Sequence, residues 1–260
     1  MMTWAHFNWM GPLAITCWAL AAWAAAGRKN KATDLFMIAG ILVFAVFIIG
    51  FWLGVQRPPM RTMGETRLWY SFFLSGAGFL AYKRWKYPWL LIFSCVLASV
   101  FAVINLLKPE IHSIALMPAL QSYYFVPHVT VYMLSYSILA VSTIASVIQL
   151  KKVGRGQPDP ELYAFMDNIV YIGLGFLMLG LITGAAWAKE AWGHYWSWDP
   201  KETWAFITAA AYLLYIHLRL RDVSPKITLL MLPLAFVLLM ITWLGVSLLP
   251  SASGSVHVYS

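Results

Sequence analysis

Charged residues are scarce in this 260-residue chain: they make up only 11% of it, whereas hydrophobic residues make up 61%. A soluble domain normally carries about 25% charged residues, so this composition excludes an ordinary soluble protein and favours a polytopic membrane protein. The formal net charge of +8 would suit a nucleic-acid-binding protein, but the sequence has no basic stripe interleaved with polar groups. We therefore expect no nucleic-acid partner.

Cysteine is scarce as well: Cys17 and Cys95 are the only two, and each lies inside an apolar run. Without a CxxC pair, thiol–disulfide exchange and a cysteine-based metal site are disfavoured, and without CxxCH the chain is not itself a c-type cytochrome. The N-terminus lacks a basic region before its first apolar run, because Arg28 and Lys29 follow that run. We interpret it as a retained first span rather than a cleaved signal peptide.

Apolar runs of about 15 to 25 residues recur along the chain, as a bilayer core of roughly 30 Å requires. They predict an all-α polytopic membrane protein with about eight transmembrane helices. We expect a single membrane domain over residues 1–260, with N-terminal spans at 1–115 and a core at 120–260. If the short run at 68–82 were a re-entrant hairpin, the spans before it would reverse. The predicted spans are 10–26, 35–54, 68–82, 88–106, 126–149, 166–187, 203–220 and 227–249.

The basic residues predict which side of the membrane each loop faces. Twelve of the eighteen Lys and Arg residues fall in four alternate loops, and cytoplasmic loops are enriched in these residues. Both termini, and the tryptophan-rich residues between the sixth and seventh spans, are then predicted to lie outside. The twelve are Arg28, Lys29, Lys31, Lys83, Arg84, Lys86, Lys151, Lys152, Arg155, Arg219, Arg221 and Lys226.

Histidines are the most informative polar residues in so apolar a chain. We interpret His6 and His112 as exposed residues near the membrane interface. His128 follows Pro127 at the outer start of the fifth span, where proline suits a first helical turn. His257 lies in the C-terminal tail, a region that usually frays, but on the same predicted side as His128. The shared side favours a meeting of His128 and His257; the alternative is that His128 belongs to an interfacial aromatic belt.

His217 differs because it lies within the seventh predicted span, ~22 Å below the outer surface at 1.5 Å per residue. An ionisable residue at that depth is costly and indicates a function with a specific partner. This chain has no second histidine at a matching depth. A metal at His217 would therefore take its other ligand from another protein or from a different residue type. The alternative is that His217 snorkels to the inner interface beside Arg219.

Residues 192–204, WGHYWSWDPKETW, combine four tryptophans with ionisable side chains on the predicted outer side. Aromatic rings stack on flat aromatic ligands, and indole N–H groups donate hydrogen bonds. The run DPKET also has a purely structural interpretation, with Asp199 as N-cap, Pro200 at N1 and Glu202 at N3 of a helix. The candidate residues for an aromatic platform are Trp192, Trp196, Trp198, Trp204, His194 and Asp199.

The stretch WGHYWSWDPKETWAFITAAAYLLYIHLR, residues 192–219, closely resembles the tryptophan-rich WWD signature of the CcsA/ResC family of system II cytochrome c biogenesis. We call residues 187–204 the WWD segment. Histidine positions extend the resemblance over residues 120–260, whereas residues 1–115 resemble the family by hydropathy and size. The resemblance implies a haem-handling membrane protein that delivers haem outward for attachment to apocytochrome c, as a subunit of a holocytochrome c synthase complex.

The resemblance also implies where haem would be held. In the family, an external haem lies against the WWD signature between one histidine before it and one after it, and His128 and His257 stand at those positions. The family's histidine in the next span matches His217, and its counterpart comes from a CcsB/ResB-like membrane protein. The implied cofactor is haem b, with His128, His257 and His217 as iron ligands. His194 would contact a propionate or the haem rim.

Further implied partners are an apocytochrome c with its CxxCH motif and a thioredoxin-like thiol reductant, because the chain has no CxxC of its own. The implied location is the bacterial inner membrane, with the functional face on the periplasmic side. Two features depart from the family: the tail reads SVHVYS where GLHSYG is common, and FITAAAY lacks a tryptophan often found after FIT.

Three alternatives remain from the sequence. The first is a CcmC-like haem-delivery protein of system I, which shares the tryptophan-rich aspartate motif but usually lacks the continuation DPKETWAFIT. The second is a membrane b-type cytochrome, which would normally need paired histidines within its spans. The third is a small-molecule or ion transporter, which would need more ionisable groups within the spans than this chain has.

Overall fold

The computed structural model describes residues 2–112, 119, 122, 124–250 and 255. Throughout these residues the regular structure is helical and there is no β-strand, which confirms the prediction of an all-α protein. The long helices are α1 (Trp4–Ala26), α2 (Asn30–Val55), α3 (Met63–Trp85), α4 (Pro88–Leu107), α5 (Phe125–Gly154), α6 (Pro160–Trp192), α7 (Pro200–Leu220) and α8 (Pro225–Met240).

Seven helical segments within the described residues are long and apolar enough to cross a membrane, so the chain is a multi-pass membrane protein. The helix outside this set is α3, at the short predicted span 68–82. It extends over 23 residues, but Glu65, Arg67, Lys83 and Arg84 near its two ends lower its hydropathy. The orientation of the termini stays a prediction.

Local chemistry sets the ends of several helices. Helices α4, α6, α7 and α8 begin at proline, which suits the first helical position because its missing N–H would have no partner there. The carboxylate of Asp159 accepts a hydrogen bond from the Leu162 N–H at the start of α6, at 3.1 Å. Helix α6 is capped at its C-terminus by Gly193, whose φ of +89° is a left-handed conformation that glycine adopts without strain.

The chain forms two compact units, Met1–Leu116 and Met117–Ser260. In the first, α1 packs against α2 and α4, and α3 packs against α4. Its core is rich in aromatic residues, with Trp18, Phe44 and Phe47 fully buried. In the second, α5 packs against α6 and α8, and α7 packs against α8. The second unit contains the WWD segment and the described histidines His128, His194 and His217.

Helix α8 continues into a π-helical turn at Ile241–Gly245. The side-chain hydroxyls of Thr208 on α7 and Thr242 in this turn are 3.0 Å apart and hydrogen-bonded. Trp243 in the same turn packs against Tyr136 of α5, with 5.9 Å between ring centroids. The turn therefore joins α8 to both α5 and α7 inside the second unit.

Candidate functional site

His128 lies in the first turn of α5, and α6 holds its ring in place. Its Nδ1 is 2.9 Å from the carbonyl oxygen of Gly180. Because a carbonyl only accepts hydrogen bonds, Nδ1 carries the proton and donates it. Nε2 then has the lone pair, which is the state that a metal-binding imidazole requires. The ring also packs edge-on against Tyr132, one turn further along α5, at 4.6 Å between centroids.

Two glycines of α6 make room for these rings. A Cβ added to Gly184 would lie 2.6 Å from Cε1 and 2.7 Å from Nδ1 of His128. A Cβ added to Gly180 would clash with the ring of Tyr132. Neither glycine was among the site residues predicted from the sequence. The signal was present as the GLITG stretch at 180–184, a G-x-x-x-G spacing that lets membrane helices approach closely.

Trp187 connects His128 to the WWD segment. Its side chain is only 2% exposed, and its ring stacks on His128 with 5.6 Å between centroids and 22° between planes. Its other neighbours are Phe125, at 5.2 Å, and Trp192, at 4.7 Å. Trp187 is thus a buried support between the histidine and the start of the loop.

Hydrogen bonds tie the residues before α5 to the end of α6. The indole N–H of Trp187 donates to the carbonyl of Ala119 at 2.7 Å. The hydroxyl of Ser122 donates to the carboxylate of Glu190 at 2.5 Å. These bonds attach Ala119 and Ser122 to the end of α6.

Beyond α6, residues 193–198 form a loop with exposed aromatic rings. Tyr195 is 62% exposed and Trp198 is 63% exposed. The rings of Trp196 and Trp198 meet edge-to-face at 5.7 Å. The Nζ of Lys189 donates to the carbonyl of Gly193 at 2.7 Å and lies over the Tyr195 ring. The loop therefore presents flat apolar surface to its surroundings.

Three tryptophans of the predicted aromatic platform belong to two separate pairs of rings in the structure. Trp192 packs beside Trp187, and Trp196 packs beside Trp198. The Nε1 atom of Trp196 is buried and has no hydrogen-bond partner among the described residues. Buried donors of this kind normally have a hydrogen-bond acceptor. Trp204 is half-buried in the first turns of α7, and His194 is exposed.

Asp199 and Glu202 form a capping box at the start of α7, which confirms the predicted N-cap, N1 and N3 positions. Oδ1 of Asp199 accepts from the Lys201 N–H at 2.9 Å. Oε2 of Glu202 accepts from the backbone N–H groups of Ser197, at 2.8 Å, and Asp199, at 3.1 Å. Both carboxylate side chains are buried, so the contacts described for Asp199 are those of a helix cap.

His217 lies near the end of α7 and is exposed. Its Nδ1 is 2.9 Å from the carbonyl oxygen of Leu213, so Nδ1 again donates and the lone pair is on Nε2. Tyr215 and Arg219 hydrogen-bond to Asp167 of α6, each at 2.8 Å. These bonds fix the last turns of α7 against α6, and they leave His217 outside that contact.

The structure brings His128 close to Trp187 of the WWD segment and places His217 elsewhere. His128 contacts Gly180, Gly184 and Trp187 of α6, whereas His217 lies ~25 Å along α7 from the start of that helix. The other expected outer ligand, His257, lies outside the described residues. Its meeting with His128 stays a prediction.

Comparisons with known proteins all indicate the same protein family. A family model for "Cytochrome C assembly protein" matches residues 6–252. The cytochrome c biogenesis protein CcsA of Mesostigma viride is 30% identical over 262 aligned residues, covering 85% of this chain and 86% of that protein. CcsA of Thermosynechococcus vestitus is 32% identical over 276 aligned residues, which cover 86% of this chain and 85% of that protein. CcsA of Chlamydomonas reinhardtii is 40% identical over 133 aligned residues, which cover 48% of this chain and 38% of that protein.

Among solved structures, the cytochrome c haem lyase CcmF matches with a TM-score of 0.73 at 18% sequence identity. The match covers 95% of this chain and 47% of that protein, so the chain spans about half of that protein's length. This likeness shows a shared fold. The family model and the CcsA relatives cover most of the sequence, and the chain belongs to the cytochrome c assembly protein family.

Proposed function

We propose that this protein holds haem at the outer side of a membrane and presents it for attachment to an apocytochrome c. The observation that carries the proposal is the state of His128. Its Nδ1–H is bound to the Gly180 carbonyl, so Nε2 has the lone pair that iron requires. Membership of the cytochrome c assembly family supports haem as the ligand.

We assign the outer iron ligands as His128 and His257. The WWD segment supplies the platform, with Trp192, Trp196, Trp198, Trp204, Asp199 and His194. Two features support this assignment: the exposed side chains of Tyr195 and Trp198, and the contact of Trp187 with His128. Flat aromatic surface suits a flat aromatic ligand.

The chemistry assigned to this site is thioether formation. A cysteine thiol adds across a haem vinyl group, forming a C–S bond and leaving the thiol proton on the neighbouring carbon, with no net oxidation. The role of this chain is to bind and orient, since fixing two reactants in the correct geometry supplies a large part of the acceleration. Both cysteines of the apocytochrome's CxxCH motif must be reduced beforehand, so the proposal includes a thioredoxin-like reductant.

We assign His217 to an earlier step, in which haem b is received within the membrane. An exposed imidazole on α7, with Nδ1 bonded to Leu213, suits a ligand shared with a second protein. In this proposal a CcsB/ResB-like membrane protein supplies the opposing histidine. The location that fits these assignments is the bacterial inner membrane, with the WWD segment on the periplasmic side.

The test is the haem content of the full chain, purified from membranes with its CcsB/ResB-like partner co-expressed. We expect a weaker Soret band in His128→Ala and in His257→Ala, because the outer site loses its haem while haem held at His217 remains. His6→Ala is the control and keeps the wild-type haem content. Absence of haem from every preparation, together with normal cytochrome c maturation in a strain that lacks this protein, would overturn the proposal.

A further inference from the structure

Trp198 has an unusual backbone conformation for a bulky residue. Its φ is +58°, in the left-handed region that is unfavourable for large side chains. Four other described non-glycine residues have positive φ, and each lies within two residues after the end of a helix, where left-handed residues are common. Trp198 instead precedes a helix. The four are Arg28, Gln56, Lys86 and Asp222.

Three hydrogen bonds from the start of α7 hold this conformation. Oε2 of Glu202 accepts from the backbone N–H of Ser197 and from that of Asp199, the residues on either side of Trp198. The hydroxyl of Thr203 donates to the carbonyl of Trp198 itself at 3.1 Å. The backbone of Trp198 is thus attached to the helix from both sides.

Helix capping alone does not require such a conformation. Helix α3 has the same kind of capping box, in which Thr62 and Glu65 bond to each other's backbone N–H groups. Its preceding residue, Arg61, is not among the described residues with positive φ. The capping box therefore does not explain the left-handed backbone of Trp198.

The consequence of this conformation is the direction of the Trp198 ring. The ring is 63% exposed and meets its neighbours Trp196 and Phe206 edge-on, at 5.7 and 5.9 Å between centroids. With 63% of the residue exposed, a large part of the ring is open to stacking on a flat aromatic ligand. We infer that Glu202 and Thr203 are positioning residues that hold the Trp198 ring for contact with haem. This inference rests on the proposed function of the site.

The experiment compares paired variants of the full chain co-purified with its partner. Thr203→Val removes the hydroxyl without changing the side-chain shape, and Thr203→Ser keeps it. Glu202→Ala removes the acceptor, and Glu202→Gln keeps one. We expect a threefold or larger loss of haem, with a changed near-ultraviolet circular dichroism of the tryptophans, in the Val and Ala variants. The Ser and Gln variants should recover haem to within twofold of wild type.

A matched control separates positioning from general stability. Asp159→Ala removes the N-cap of α6, far from the WWD segment in sequence, and should lower the thermal unfolding temperature while haem content stays at the wild-type level. If Asp159→Ala loses haem to the same extent as Thr203→Val, the effect is one of stability and the inference is wrong.

The proposed function and the inference fail in different ways. If the wild-type protein binds haem through His128 but Thr203→Val and Glu202→Ala retain all of it, the positioning role is wrong and the function stands. If the wild type and His128→Ala are equally free of haem, the proposed function is wrong, and the inference falls with it.

Discussion

The imidazole of His128 lies directly on the backbone of Gly184. A Cβ at position 184 would be 2.6 Å from Cε1 of the ring, inside the 3.0 Å that real Cβ contacts essentially never cross. One turn earlier on α6, the carbonyl of Gly180 accepts the Nδ1 proton of the same ring. The two glycines together set where the imidazole lies and which nitrogen has the lone pair.

Gly184→Ala tests this arrangement. The added methyl group must push the His128 ring away, which weakens the bond to Gly180 and turns Nε2 from its direction. Overpacking of this kind costs about 1–3 kcal/mol, against a gain of about 0.5–1 kcal/mol for replacing glycine within a helix. We expect a modest loss of stability and a loss of haem from the outer site, measured as less pyridine haemochrome per protein than in the wild type.

Gly175→Ala is the matched control, because a Cβ at position 175 has nothing within 4 Å. It should leave haem content unchanged and keep or slightly raise the thermal unfolding temperature. Wild-type haem content in Gly184→Ala would contradict the role given to the glycine.

His217→Ala is expected to reduce delivery of haem without destabilising the protein. Exposed side chains usually change the free energy of unfolding by less than about 0.5 kcal/mol when replaced, so loss of haem would reflect lost binding. Leu214→Ala, also exposed on α7, is the control and should keep the wild-type haem content. The measurement is haem in the outer site of the complex with its partner. A full outer site in His217→Ala would contradict the two-step path.

Glu65 forms the most buried ion pair of the first unit. Its side chain is 2% exposed and accepts from the guanidinium of Arg57 at 2.8 and 2.9 Å and from the backbone N–H of Arg61 at 2.6 Å. Glu65→Ala leaves Arg57, itself only 13% exposed, without its counter-charge. Breaking a buried pair in this way costs about 3–5 kcal/mol, and we expect that loss in denaturant unfolding in detergent.

The exposed pair of Lys83 and Asp34 provides the comparison, with side chains 45% and 30% exposed. Asp34→Ala should cost no more than about 1 kcal/mol, because solvent screens such pairs. Equal losses in Glu65→Ala and Asp34→Ala would show that burial of the first pair has no energetic consequence.

The positions of the helices could be predicted from the sequence because apolar length is set by the thickness of a bilayer. Seven of the eight predicted spans lie wholly within helices, and the eighth, 227–249, ends one residue beyond the helical turn Val246–Leu248. The start of α7 could also be predicted, because Asp199 and Glu202 act through local hydrogen bonds and Pro200 suits the first helical position. The extent of α3 was underestimated, because the helix continues past its apolar centre into the charged residues near Glu65 and Arg84.

The contacts that hold the His128 ring could not be predicted from hydropathy and helix-capping patterns. The contacts with Gly180, Gly184 and Trp187 arise when α5 packs against α6, and hydropathy contains no information about which faces of two helices meet. The backbone of Trp198 was missed for another reason: a left-handed tryptophan contradicts local preference and is held there by Glu202 and Thr203. The contacts of His128 depend on two separate helices, whereas the backbone of Trp198 depends on local bonds whose result runs against the preference of the residue type.

A last relationship joins His112 to the start of α1. The rings of His112 and Trp4 are stacked with 3.6 Å between centroids and 2° between planes. Burial lowers the pKa of His112, against smaller raising effects from the backbone of Asn105 and the charge of Glu110. The neutral imidazole is therefore the form that the fold favours.

Because the pKa of His112 is lower in the folded state than the usual ~6.5, the folded state binds fewer protons at this site. Its contribution to the free energy of unfolding is complete above pH ~6.5 and is lost as the pH falls through the folded-state pKa. The thermal unfolding temperature of the wild type should therefore fall as the pH falls from about 7 to about 5. His112→Phe keeps a ring against Trp4 without titrating, so its unfolding temperature should fall less over the same range. An identical pH dependence in the two proteins would show that the stacked histidine does not couple protonation to folding.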